Sequence, residues 1–163
     1  MNAALRLSWY KFKHHYMDFV KVLLGIVAFE GLILYIQDKG FLKDFETTRM
    51  TLFLLLFSTS LLIVVQNSIY ISKERSVLNR DFFSGLSRSA FALASMGIHA
   101  FFAVLETIVF ILSYSVFSKF FDKEFPDAGH IFGSYRWEVG ITVLLVFLAS
   151  HFIALFITAL VGK

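Results

Sequence analysis

Four apolar stretches, separated by polar segments, dominate the pattern of this chain. They cover residues 20–36, 50–71, 89–117 and 139–161. A helix needs about 20 apolar residues to cross a hydrocarbon core of about 30 Å, and the last three stretches are long enough. They are too long, and alternate too little, for the strands of a membrane barrel. The pattern therefore predicts an all-α integral membrane protein with four transmembrane helices, in a single domain over residues 1–163.

The segment before the first span, residues 1–19, has a helical pattern of its own. Its large apolar side chains recur every three or four positions, at Leu5, Trp9, Phe12, Tyr16 and Phe19. Such a stripe is typical of an amphipathic helix, and Trp and Tyr favour the headgroup level of a membrane. We predict an interfacial helix over 1–19 that leads into the first span. The alternative is a segment that is merely basic and satisfies the positive-inside rule.

A charged segment, residues 73–88, interrupts the apolar pattern between spans two and three. Its apolar residues Leu78, Phe82 and Leu86 step by four, and charged residues occupy most of the other face. This spacing predicts a short amphipathic helix between the two spans. Gly85 then indicates a break before span three.

Charge and composition define the orientation and exclude several classes of function. The chain is 58% hydrophobic with a mean hydropathy of +0.73, a net charge of +3 and no cysteine. Lys and Arg are in excess over acids in the N-terminal segment and in 73–88, so both termini are predicted to be cytoplasmic, in a plasma or inner membrane. The positive charge indicates contact with lipid headgroups and no nucleic-acid partner.

From Lys73 to Ala94 the sequence KERSVLNRDFFSGLSRSAFALA resembles the first intracellular loop of ABC-2-type transporter permeases. The similarity is to the ABCG-like (white/pleiotropic drug resistance) branch. That family carries Glu-Arg at the end of its second span, followed by Arg with an acid, a Gly and a Ser-containing turn. The matching positions are Glu74-Arg75, Val77-Leu78, Arg80-Asp81, Gly85, Ser87 and Phe91 to Ala94. A weaker similarity covers most of the remaining chain, although Ile108 stands near the place of a family proline.

The resemblance implies the permease segment of an ATP-driven exporter. ATP and Mg²⁺ would bind to an ATP-binding cassette domain, fused or separate, and a second permease would be a further partner, together with lipids. The residues implied to couple ATP binding to transport are Glu74, Arg75, Arg80, Asp81 and Gly85. Because the second span lines the central cavity in that family, the implied cavity residues are Phe53, Phe57, Ser60 and Asn67. Such permeases usually have six spans, so the remaining two would come from a longer chain or from a partner, unless this is a reduced relative.

Ionisable residues inside the predicted spans are costly unless they are paired. Glu30 and Glu106 are the intramembrane acids, and we expect structural hydrogen-bonding roles for both; the alternative is contact with substrate or coupling between helices. His99 lies seven residues before Glu106 on the same helix face, and His151 lies in span four. A metal site or a proton relay built from them would require a convergence that the sequence does not supply.

No phosphate-binding loop occurs in the sequence, so we predict that this chain is not itself an enzyme and holds no cofactor, metal ion or catalytic group. A function of another class stays open beside the permease. The chain would then be a small four-span accessory or scaffolding protein that binds other membrane subunits.

Overall fold

The computed structural model describes residues 10, 16–37, 45–83, 85, 87–123, 131 and 133–160, with backbone but not side chains for 70–82, 88 and 159–160. These residues form four long helices and no strand. The helices are α1 (Tyr16–Ile36), α2 (Phe45–Phe83), α3 (Arg88–Phe120) and α4 (Tyr135–Leu160). Each contains a stretch long and apolar enough to cross a membrane. The prediction of an all-α membrane protein with four such helices is therefore confirmed.

The second helix differs most from its predicted span. α2 continues without interruption from Phe45 to Phe83, so the segment predicted as a separate short helix is the last part of α2. Neither Gly nor Pro occurs within it, and nothing stops the hydrogen-bond ladder from continuing. Its 39 residues measure about 58 Å, about twice the thickness of a hydrocarbon core. α2 therefore projects well beyond any membrane that it crosses.

The turn between α2 and α3 lies where the sequence indicates a break. Gly85 has φ +101°, a backbone conformation that residues with a side chain rarely adopt. Of the predicted interfacial helix over 1–19, only Tyr10 and residues 16–19 belong to the described part, and the last four of these begin α1. The rest of that prediction lies outside the described residues.

The helices form a bundle whose order differs from the order in sequence. The closely packed pairs are α1 with α2, α2 with α4, α4 with α3, and α3 with α1. Going round the bundle, the order is therefore α1, α2, α4, α3. Although α2 and α3 are joined by a short turn, they lie across the diagonal, and each packs on both α1 and α4.

Each helix buries one narrow face, whose residues recur mostly at spacings of three or four. On α1 this face consists of Val22, Ile26, Glu30 and Leu34. The apolar centre contains Leu55, Ile63, Phe110, Val143 and Phe147, with the ring of Phe110 edge-on to that of Phe147 at 5.8 Å. Apolar side chains also cover the outer surface, as expected for helices in lipid.

Gly25 allows α1 to approach α2 closely. A Cβ at this position would lie 2.5 Å from Cδ2 of Leu62, whereas a Cβ at Gly97 of α3 would meet nothing within 4 Å. We expect Gly25→Leu to lower the free energy of unfolding by about 2 kcal/mol, because a large side chain forces α1 away from α2. Gly97→Leu should leave it unchanged or raise it by up to about 1 kcal/mol through helix propensity. Reversible unfolding in mixed micelles measures both, and equal effects of the two variants would contradict the close approach.

Candidate functional site

A polar cluster lies between three helices of the otherwise apolar bundle. Two turns of α3 separate His99 from Glu106 and place both on the face that meets α4. α4 contributes His151, and α2 contributes Asn67. The three ionisable side chains are almost completely enclosed, since His151 and Glu106 are each 1% exposed and His99 is 6% exposed. We call His99, His151 and Glu106 the His–His–Glu triad.

His151 is the central member of this cluster. Its Nε2 lies 2.8 Å from Oε2 of Glu106, and its Nδ1 lies 3.0 Å from Nδ1 of His99. The amide nitrogen of Asn67 lies 2.9 Å from the same Nδ1 of His151. Every one of these distances is within hydrogen-bond range. The imidazole of His151 therefore links a carboxyl group on one side to a second imidazole on the other.

The geometry of the triad is a line rather than a coordination shell. Each contact joins one neighbour to the next, and His151 lies between the other two side chains. A metal ion would require ligand atoms that converge on a common point. Among the described residues, no group of three or more His, Cys, Asp or Glu side chains is arranged to hold a metal ion. A line of groups that can each donate or accept a proton is instead suited to proton transfer.

Glu30 and Ser113 form a second polar contact, between α1 and α3. The hydroxyl of Ser113 donates to Oε2 of Glu30, while Oε1 of Glu30 is buried with no hydrogen-bond partner among the described residues. Glu30 is completely enclosed by the bundle. This environment fits the structural hydrogen-bonding role expected for Glu30, and Ser113 is its hydrogen-bond donor.

Lys123 caps the C-terminal end of α1. After α3 ends, Asp122 adopts the left-handed conformation with φ 54°, and the amide of Lys123 donates to the carbonyl of Ser118 at 2.8 Å. This turn brings the Lys123 ammonium to the end of α1, where it donates to the carbonyls of Leu34 and Gln37. The last carbonyls of a helix have no partner within it, so a buried lysine satisfies them in place of water.

The residues predicted to line a cavity face in different directions. Phe53 and Phe57 stack on each other at 5.6 Å on the outside of α2, where they are 58% and 54% exposed. Ser60 is half-buried, and its hydroxyl oxygen has no partner among the described residues. Asn67 alone turns inward to the triad.

A pocket of about 280 Å³ does lie between α2 and α4, at the end where α4 begins. On α2 its walls are formed by Leu52, Leu55 and Leu56. These residues lie on a different face of α2 from Phe53 and Phe57.

The predicted coupling residues lie at the end of α2 and in the turn that follows. Glu74, Arg75, Arg80 and Asp81 belong to the helix by their backbone, and their side chains lie outside the described residues. Gly85 lies in the turn with nothing within 4 Å of the position that a Cβ would occupy.

The sequence predictions do not include two residues that form buried polar contacts between helices, Ser113 and Lys123. The signal for Ser113 was its spacing, because His99, Glu106 and Ser113 follow one another at intervals of seven on one helix face. Lys123 resembles an ordinary loop charge, and only the turn at Asp122 reveals its role.

Comparison with known proteins adds no relative to this description. No protein-family model, no curated protein and no solved structure matches the chain.

Proposed function

We propose that this chain is the transmembrane permease segment of an ATP-driven exporter of the ABC-2 type, from the ABCG-like branch. The observation that carries the proposal is the continuity of α2. The segment with the family-like sequence, from Glu74 to Asp81, is part of the same unbroken helix as the apolar stretch before it. A force applied to these residues is therefore transmitted along a rigid rod into the bundle.

The packing of the bundle supports this mechanism. α2 and α3 lie diagonally, and each contacts both α1 and α4. A displacement of the corner where α2 meets α3, around Gly85, consequently reaches all four helices. Closure of an ATP-binding cassette domain against this corner would tilt α2 and shift the bundle from an inward-facing to an outward-facing arrangement.

The partners follow from the same proposal. ATP and Mg²⁺ are bound by the cassette domain, fused or separate, and this chain supplies no catalytic group for hydrolysis. A second permease completes the transport path, and both termini face the cytoplasm of a plasma or inner membrane. The apolar pocket between α2 and α4 is compatible with an amphipathic or lipophilic substrate moving outward.

A charge reversal at Glu74 tests the coupling role. In vesicles that contain the chain and its ATPase, Glu74→Lys should lower transport per ATP hydrolysed by about tenfold, because the cassette domain no longer grips the end of α2. Membrane insertion should not change. Glu46→Lys is the matched control, since Glu46 is exposed at the opposite end of the same helix and pairs with Arg49 at 3.3 Å. Unchanged coupling in Glu74→Lys, or an equal loss in Glu46→Lys, would count against the proposal.

Purification of the chain from its native membrane distinguishes the permease hypothesis from the accessory-protein hypothesis. A permease should co-purify with an ATPase, and a cysteine introduced by Ser84→Cys should form a crosslink to that subunit. Recovery of other membrane subunits without any ATPase would support the accessory role instead.

A further inference from the structure

The His–His–Glu triad contains a constraint on where its protons lie. The atoms of His99 and His151 that face each other at 3.0 Å are both Nδ1. A hydrogen bond between two ring nitrogens needs one that carries a proton and one that does not. The two rings therefore share a single proton across this contact, and the tautomer of one ring determines the tautomer of the other.

When both imidazoles are neutral, two proton arrangements satisfy all three members of the triad. In the first, ionised Glu106 accepts the Nε2–H of His151, and the bare Nδ1 of His151 accepts the Nδ1–H of His99. In the second, protonated Glu106 donates to Nε2 of His151, whose Nδ1–H donates to His99. The second arrangement holds one proton more than the first, and that proton is on Nε2 of His99.

We propose that the triad is an intramembrane proton-binding site that relays a proton between His99 and Glu106. A proton that binds at Nε2 of His99 displaces the Nδ1 proton of His99 to Nδ1 of His151. The Nε2 proton of His151 then moves to the carboxylate of Glu106. The three proton shifts leave each contact a hydrogen bond, and the only ligand taken up is one proton. This site is independent of the proposed function in ATP-driven export.

Asn67 connects the protonation state of the triad to α2. When Nδ1 of His151 is bare, its single lone pair is shared between the Nδ1–H of His99 and the amide nitrogen of Asn67, which lies 2.9 Å away. When the same Nδ1 carries a proton that it donates to His99, it can no longer accept from the Asn67 amide, and the Asn67 contact is lost. Uptake of the proton consequently changes a contact on the helix that extends beyond the bundle.

The surroundings supply no other described ionic partner for the triad. On the side of α1, the ring of Phe19 packs on Phe102 at 4.8 Å, and Phe102 stands edge-on to His99 at 5.9 Å. The buried acid of α1, Glu30, is bonded to Ser113, two turns further along α3 than Glu106. The exposed pairs Lys21–Asp18 and Arg49–Glu46 lie near the ends of α1 and α2. In this environment the ionised carboxylate of Glu106 is the one charge of the triad in the first arrangement, and uptake of a proton removes that charge from the apolar interior.

Spectroscopy of the full-length chain in lipid nanodiscs tests the proposal. The chain has five histidines, so a variant with His14, His15 and His130 changed to Gln leaves only the two imidazoles of the triad. With ¹⁵N-labelled histidine, we expect a scalar coupling between the two Nδ1 atoms across the shared proton. As the pH is lowered, the ¹⁵N chemical shifts of both rings should change together. An infrared band of a protonated carboxyl should appear at the same midpoint.

Two acid variants make the assignment specific. Glu106→Gln should abolish the part of the infrared band that appears together with the change of the rings, and should also abolish that joint change, because Gln cannot take up the proton. Glu30→Gln is the control, since it removes a buried acid outside the triad and should retain both signals. The scalar coupling between the two Nδ1 atoms is measured without any substitution in the triad, so this part of the test stands even if Glu106→Gln does not fold. The proposal would be overturned by rings that change separately, by an absent scalar coupling, or by a ring-linked carboxyl band that survives Glu106→Gln.

Discussion

Replacing His151 with leucine should lower the free energy of unfolding by about 3 kcal/mol. Leucine has a similar size, so packing changes little and the loss comes from hydrogen bonding. The substitution removes the partner of Glu106 at 2.8 Å and that of Asn67 at 2.9 Å, and both groups stay inside the bundle. Reversible unfolding in mixed micelles, followed by circular dichroism, gives the difference.

The double variant His151→Leu/Glu106→Leu is the informative control. If the cost arises from a carboxyl left without its partner, removal of that carboxyl should recover about half of the lost stability. Effects that simply add would show that His151 contributes by shape alone. The two side chains are in direct contact, so a non-additive result is the expected one.

Replacing Lys123 with methionine should lower the free energy of unfolding by about 2 kcal/mol. Methionine keeps the length and apolar stem of the side chain but cannot donate to the carbonyls of Leu34 and Gln37. Those carbonyls lie at the negative end of the α1 dipole, where a cation is favourable. Lys119→Met is the matched control, because Lys119 is an exposed lysine in the last turn of α3, and it should change the stability by less than about 0.5 kcal/mol.

Hydrogen exchange locates the effect of Lys123→Met. The amide of Gln37 donates to the carbonyl of Ile33 at 3.0 Å in the last turn of α1. Its exchange should become faster in Lys123→Met and stay unchanged in Lys119→Met. A global loss of stability without faster exchange at this end would refute the capping role.

The four helices were predictable because the length of each apolar stretch can be counted in the sequence. The unbroken course of α2 was harder to foresee, since the charged pattern of 73–88 suggested an element of its own. The absence of Gly and Pro up to Phe83 was the stronger signal. A change in polarity along a chain indicates where a helix leaves the membrane, which is a different event from the end of the helix.

The polar cluster was only partly predictable. The shared face of His99 and Glu106 followed from their spacing, but their meeting with His151 depends on the order of the helices around the bundle. That order is set by packing between helices, to which a single sequence gives little access. The direction of Phe53 and Phe57 was undetermined for a related reason. In a membrane, apolar side chains suit the lipid-facing and the protein-facing side of a helix almost equally.

The regular spacing of polar groups along α3 limits how this helix can move. His99, Glu106 and Ser113 span about 21 Å on one side of the helix, and each is bonded to a neighbouring helix. Turning α3 about its own axis by one residue, about 100°, would break all three contacts at once and leave buried polar groups without partners. Axial rotation of α3 alone is therefore costly, whereas α3 can tilt together with the side chains of α1 and α4 that hold these three contacts.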